Sequence, residues 1–207
     1  AQGAGIRRAA LSRSVTGRHA RARGVPSLAI LRSIPSSRSA MPETLDLRSL
    51  IRTVPDFPKP GVQFRDITTL LKDAAGFRAI VDRLAAAYRG RRIDKVAGIE
   101  SRGFIVGAAL ASELRVGFVP IRKAGKLPAE NVGQDYQLEY GTDRLEVHRD
   151  AIARGERVLL VDDLIATGGT AEAALELIAT VGGEVVGCAF VIGLPDLGGR
   201  ARIERHG

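Results

Sequence analysis

The chain has little of several things, and each shortage removes a class of protein. One cysteine in 207 residues rules out an intrachain disulfide framework. That cysteine, Cys188, lies in the apolar stretch EVVGCAFVIG and reads as a small core residue. No run of 18 apolar residues occurs, so no membrane-spanning helix is expected. The three histidines, His19, His148 and His206, are too far apart for metal-ligand spacing, and no Cys-x-x-Cys accompanies them, so no zinc site is expected. Beyond residue 41 there is no internal repeat and no linker. The full chain is 45% hydrophobic and 26% charged, enough for one domain with its own core.

Acidic residues are absent from residues 1–40, which hold eight of the 31 basic residues, all arginine. Residues 41–207 therefore balance at zero, and the formal net charge of +8 belongs wholly to the leader. This argues against a nucleic-acid partner for the domain itself. The leader is rich in Arg, Ser, Ala and Gly, and the one methionine, Met41, stands where the composition changes. Three readings stay open. Residues 1–40 are translation from an upstream start, with Met41 the natural beginning; or an organellar transit peptide; or a basic arm for nucleic acid. Each predicts poor order, because little patterned apolar surface is present to offset chain entropy.

From residue 41 onward the pattern becomes regular. LDLRSLIRTV, with Leu45, Leu47, Leu50 and Ile51, predicts a short amphipathic helix. PDFPKPG (55–61) is a proline-stiffened loop, and 62–67 a short extended piece. Residues 75–89 place Phe77, Ile80, Val81, Leu84 and Tyr88 on one helical face. Strand (93–99), turn (ESRG), helix (104–114) and strand (118–121) follow, then a polar hairpin or flap over 123–150. A buried strand (157–161), an Ala-rich helix (169–181) and a last strand (184–192) complete the chain. Strands alternating with helices predict an α/β fold with a mostly parallel sheet, whose ligands bind at the carboxyl ends of the strands. ESRG and DDLIATGG both sit at such ends.

The second of these, VLLVDDLIATGGT (158–170), carries the chemistry. Gly168 and Gly169 let the backbone curl and aim N–H groups inward, and the following helix presents its positive end there. Thr167 and Thr170 add hydroxyls. No lysine follows the glycines, so this is not a Walker A loop, nor does it match G-x-G-x-x-G. Asp162 and Asp163 beside it can accept from vicinal hydroxyls or hold a divalent cation, although aspartates there can also simply cap the turn. Phosphate donors next to diol acceptors suit a phosphorylated sugar.

This stretch closely resembles the phosphoribosyl-pyrophosphate (PRPP) motif of type I phosphoribosyltransferases. PDFPKPGVQFRDIT (55–68), AGIESRGFIVG (97–107), IRKAGKLP (121–128) and YQLEYG (136–141) narrow the resemblance to adenine phosphoribosyltransferases, over roughly residues 45–205. The resemblance implies a type I fold with a small hood or flap and a homodimer in the cytoplasm, or in an organelle if the leader is a transit peptide. The implied reaction takes adenine and PRPP, with Mg2+ carried on PRPP and no protein-only metal site, to AMP and pyrophosphate.

The same resemblance assigns residues. Ala166, Thr167, Gly168, Gly169 and Thr170 take the 5-phosphate, and Asp162 and Asp163 face the ribose hydroxyls. Ser101, Arg102, Arg122, Lys123 and Lys126 take pyrophosphate, with a non-proline cis peptide expected at Glu100–Ser101. Gln63, Phe64 and Arg65 form the adenine pocket; Gln63 stands where the family often has an aliphatic residue, a change that backbone contacts to the base would survive. Glu139, with Tyr140 beside it, is the carboxyl group near the purine N7, completing a catalytic set with Arg102. One departure is at the end of the chain, where RIERHG stands and the family continues with a short apolar segment. Two alternatives remain: a PRPP-sensing regulator without turnover, and a transferase for another purine base.

Overall fold

The computed structural model describes residues 29–30, 45–137 and 141–206. The remainder of the leader, and the hairpin tip with Glu139 and Tyr140, lie outside the described residues. The strands are β1 (Ala29–Ile30), β2 (Arg52–Pro55), β3 (Gln63–Asp66), β4 (Lys95–Ile99), β5 (Gly117–Lys123), β6 (Asn131–Gln137), β7 (Thr142–His148), β8 (Arg157–Ile165) and β9 (Glu184–Gly193). The helices are α1 (Thr68–Leu71), α2 (Ala74–Ala87), α3 (Arg102–Leu114), α4 (Gly169–Thr180) and α5 (Gly199–Ile203). The main sheet runs β1-β9-β8-β4-β5-β7-β6. It is parallel from β1 to β5 and antiparallel where β7 and β6 join as a hairpin. β2 and β3 form a separate antiparallel ribbon.

Burial on both faces explains the continuous apolar run of β8. Val158 and Leu160 pack with Ala174, Leu177 and Ile178 of α4. Leu159 and Val161 pack on the opposite side, with Ile80 and Leu84 of α2 and Val106 and Leu110 of α3. Asp73 caps α2 by accepting from the Gly76 amide at 2.7 Å, and Tyr88 at its far end donates to the Cys188 carbonyl of β9 at 2.8 Å. Cys188 is buried, as its apolar surroundings imply, and burial pushes its thiol up to about 12. Among the described residues no helix is long and apolar enough to cross a membrane.

Two expectations need correction. Residues 45–54 do not form a helix: residues 47–50 are a turn, and β2 begins at Arg52. Asp46 accepts from the Arg48 amide at 3.0 Å, a local bond that competes with helical pairing. Thr53 and Val54 are β-branched, and Val54 precedes a proline, which favours extended backbone. The other correction concerns β8, which does not stop at Val161 but continues through both aspartates to Ile165, paired with Phe190, Ile192 and Gly193 of β9.

Candidate active site

The carboxyl ends of β4 and β8 bring the two principal motifs together. The Glu100–Ser101 peptide is cis, at the position expected, and α3 starts directly after it. Arg102, the first residue of α3, reaches across to β8, its Nε lying 2.7 Å from Oδ2 of Asp163. Its guanidinium also stands 5.5 Å from the centroid of the Phe64 ring, within cation–π range. Phe64 meets Phe57 edge-on at 5.1 Å. Three motifs far apart in sequence thus form one chain of contacts: an aromatic ring, a planar cation and a paired carboxylate.

Close approach of α3 to β8 depends on Gly103. A Cβ there would lie 2.7 Å from Oδ1 of Asp162 and 2.9 Å from the Val161 carbonyl oxygen. Oδ1 of Asp162 accepts from the Asp163 amide at 2.8 Å. Burial, and then the neighbouring Asp163 carboxylate, push the Asp162 carboxyl well above the usual range, so the pair resists carrying two full charges.

The phosphate loop follows. Gly168 caps α4 in the left-handed region at φ +85°, and its carbonyl accepts from the Glu172 amide at 2.9 Å. That conformation favours glycine and turns the chain from strand into helix, so that the first amides of α4 are left without helical partners, ready for an anion. The back wall of the loop is Gly199 of α5, whose amide donates to the Ala166 carbonyl at 3.0 Å. Arg202 clamps the same segment onto Glu172, with Nε 2.6 Å from Oε2, and Nε2 of His206 lies 2.8 Å from Oε1. The side-chain hydrogen bonds from Arg202, then His206, hold the Glu172 carboxyl below its usual range. Behind this wall lies a groove of about 800 Å³ lined by Leu47, Ile51, Val191 and Leu194, and none of the sequence-assigned site residues lines it.

The basic residues of β5 and its loop divide. Arg122 turns toward the cis-peptide turn: Nε donates to Glu100 at 3.1 Å and Nη1 to the Lys126 carbonyl at 3.0 Å. Burial opposes ionisation of Glu100, but the bonds from Arg122 and the Lys123 amide outweigh it and hold the carboxyl below its usual range. Arg122 therefore braces the cis-peptide turn through Glu100. Lys123 extends to Asp143 of β7, Nζ to Oδ2 at 3.1 Å, and the side chain of Lys126 is exposed. In the ribbon, Gln63 and Arg65 are exposed and Phe64 is half-buried; Arg65 donates to the Thr53 hydroxyl. Among the described residues no cluster of three or more His, Cys, Asp or Glu is placed to hold a metal ion.

The sequence marked Gly103 only as part of the ESRG turn, not for its close packing, and gave no sign of Gly199's role, the Arg202–Glu172 clamp or the Tyr136–Asp143 pair of the hairpin. The paired glycines at 198–199 were the one local signal. The others reveal themselves only as contacts made when the chain folds.

Residues 68–205 match the phosphoribosyl transferase domain. The chain is 67% identical over 160 residues to an adenine phosphoribosyltransferase of Methylobacillus flagellatus, covering 77% of this chain and 91% of that one. The crystal structure of adenine phosphoribosyltransferase from Rhodothermus marinus matches with a TM-score of 0.72 at 56% identity, over 75% of this chain and 89% of that one. The Saccharomyces cerevisiae adenine phosphoribosyltransferase, solved with an imino-altritol bisphosphate and adenine, matches with a TM-score of 0.72 at 41% identity, over 75% and 91%. With the type I fold, the phosphate loop and these likenesses in agreement, the chain belongs to the adenine phosphoribosyltransferase family.

Proposed function

We propose that the chain transfers the 5-phosphoribosyl group of PRPP to adenine, giving AMP and pyrophosphate, a purine-salvage reaction. The observation that carries this reading is Arg102, which joins the paired aspartates to Phe64 within one contact chain beside the phosphate loop. Adenine would stack on Phe64, and the yeast relative was solved with adenine bound. The 5-phosphate would sit on the amides of 166–170, and the ribose hydroxyls would face Asp162 and Asp163. Those carboxylates offer hard oxygen atoms that suit Mg2+ arriving on PRPP. When bound, Mg2+ neutralises charge that develops on pyrophosphate as it leaves.

The chain's own residues supply the remainder. The bond from ribose C1 to the pyrophosphate oxygen breaks and its electron pair leaves with pyrophosphate, stabilised by Arg102, Lys123 and Lys126. The N9 lone pair of adenine, bound as the tautomer protonated at N7, then forms the new bond to C1, and the N7 proton passes to the Glu139 carboxylate. Glu139, placed near N7 by the family resemblance, makes N9 the better nucleophile, and the hood excludes water that would otherwise hydrolyse PRPP.

The test is AMP formation by the chain starting at Met41, with adenine, hypoxanthine, guanine and xanthine compared in parallel. Adenine-specific turnover supports the reading, and shows that residues 1–40 are dispensable to it. Binding of PRPP without turnover on any base would sink it in favour of a regulator. A homodimer in the cytoplasm belongs to the same reading, and sedimentation of the full chain at low protein concentration checks the dimer.

A further inference from the structure

Tyr136 is a buried tyrosine in a polar hairpin, and the transfer chemistry above does not use it. It stands opposite Asp143 in the β6–β7 register, one pair short of the hairpin end. Its hydroxyl donates to Oδ2 of Asp143 at 3.1 Å. The same oxygen receives Nζ of Lys123 at 3.1 Å, and Oδ1 receives the Arg144 amide at 2.8 Å. The Tyr136 ring belongs to the core cluster that includes Ala171 and Ala174 of α4. Thr170, in the first turn of α4, directly precedes Ala171 of that cluster. One residue further on, the carbonyl oxygen of Gln137 lies 3.2 Å from where a Cβ of Gly169 would stand, so the hairpin backbone rests on the first turn of α4.

We infer that Tyr136 is a positioning residue for PRPP: it seats the hood hairpin on the phosphate loop and, through Asp143, ties Lys123 to that loop. The inference rests on the function proposed above, because it concerns the spacing between the two anionic ends of that substrate. Lys123 serves the pyrophosphate end and Thr170 the 5-phosphate end. A ligand gripped at both ends gains most when that spacing is set before it arrives. Phenylalanine at 136 keeps the ring in the core and removes only the link, since Asp143 retains Lys123 and the Arg144 amide.

Tyr136→Phe is the test, with steady-state kinetics, binding of PRPP with Mg2+ by calorimetry, and thermal melting on the full chain. The expected result is a PRPP KM raised about five- to tenfold, the size of one lost hydrogen bond, with adenine KM within about twofold and Tm within about 3 °C. Combining Tyr136→Phe with Lys123→Ala should cost less than the product of the two separate effects, because the two residues act through one carboxylate. A PRPP KM within twofold of wild type overturns the inference. So does a joint rise of both KM values with a marked fall in Tm, which would make Tyr136 structural only. Wild-type protein that forms no AMP would sink the proposed function instead. Calorimetry with PRPP and Mg2+ then decides the positioning role by itself: weaker PRPP binding in Tyr136→Phe than in wild type supports it, and equal binding, or none to either protein, overturns it.

Discussion

Gly199→Ala should loosen the phosphate loop from behind. A Cβ at 199 would lie 2.3 Å from the Ala166 carbonyl oxygen, 2.8 Å from the Gly168 amide nitrogen and 2.9 Å from Cγ1 of Ile165. The first two are backbone atoms of the loop, so no side chain can swing aside. Restoring ordinary contact requires α5 and the loop to separate by roughly 1 Å, which also stretches the 3.0 Å bond from the Gly199 amide to Ala166. Overpacking of this kind costs about 1–3 kcal/mol, and the weakened hydrogen bond about 1 kcal/mol more. For a chain of this size, that is a fall in Tm of roughly 4–16 °C. Displacing the loop should raise the PRPP KM severalfold and weaken AMP binding, while adenine KM changes little. Melting curves and two-substrate kinetics on the purified variant read both effects. A Tm within 1 °C of wild type together with an unchanged PRPP KM would refute the claim that Gly199 forms the wall of the loop.

Three further outcomes follow from the geometry. Arg102→Gln strips the cation from Asp163 and from the Phe64 face together, and kcat/KM for PRPP should fall about a hundredfold or more; a loss under tenfold would remove Arg102 from the site. The Asp66 carboxyl is held at about 2, by the Thr68 side chain first and Arg52 next. A depressed folded pKa stabilises above the unfolded value near 4 and loses that contribution as pH falls toward 2. Asp66→Asn should therefore lower Tm at pH 6 and flatten its decline between pH 4 and 2, and an unchanged slope would contradict this. Cys188, buried with its thiol pushed up to about 12, should ignore a disulfide-exchange reagent in the native protein and react fully in denaturant. Fast labelling of the native protein would place it elsewhere than in the core.

Local chemistry made much of this protein legible before any coordinates. Gly168 and Gly169 between Thr167 and Thr170, behind an apolar strand with two aspartates, mark an anion loop because backbone freedom and donor groups are properties of the residues themselves. The helical face of 75–89 was readable for the same reason: its period is written in adjacent positions. Ile80, Val81, Leu84 and Tyr88 are buried as that face required. The Leu45–Val54 stretch misled because its leucines suit a helix, whereas the Asp46 turn and the pairing of β2 with β3 decide otherwise. Pairing with a strand across the intervening loop carries no local signature.

Local residue patterns settled most of the element types, the crowding of arginine into residues 1–40 beside a charge-balanced remainder, and which motifs suit charge and phosphate chemistry. Tertiary structure alone decided which groups meet. It directed Arg102 onto Asp163 and Phe64, turned Arg122 away to brace Glu100, and linked Lys123 to Tyr136 through Asp143. It also made Gly103 and Gly199 indispensable, because a close approach between backbones is a property of two segments at once. Composition and periodicity report what a residue is and which way it faces, while distances across the sheet are set only when all the strands have found their neighbours.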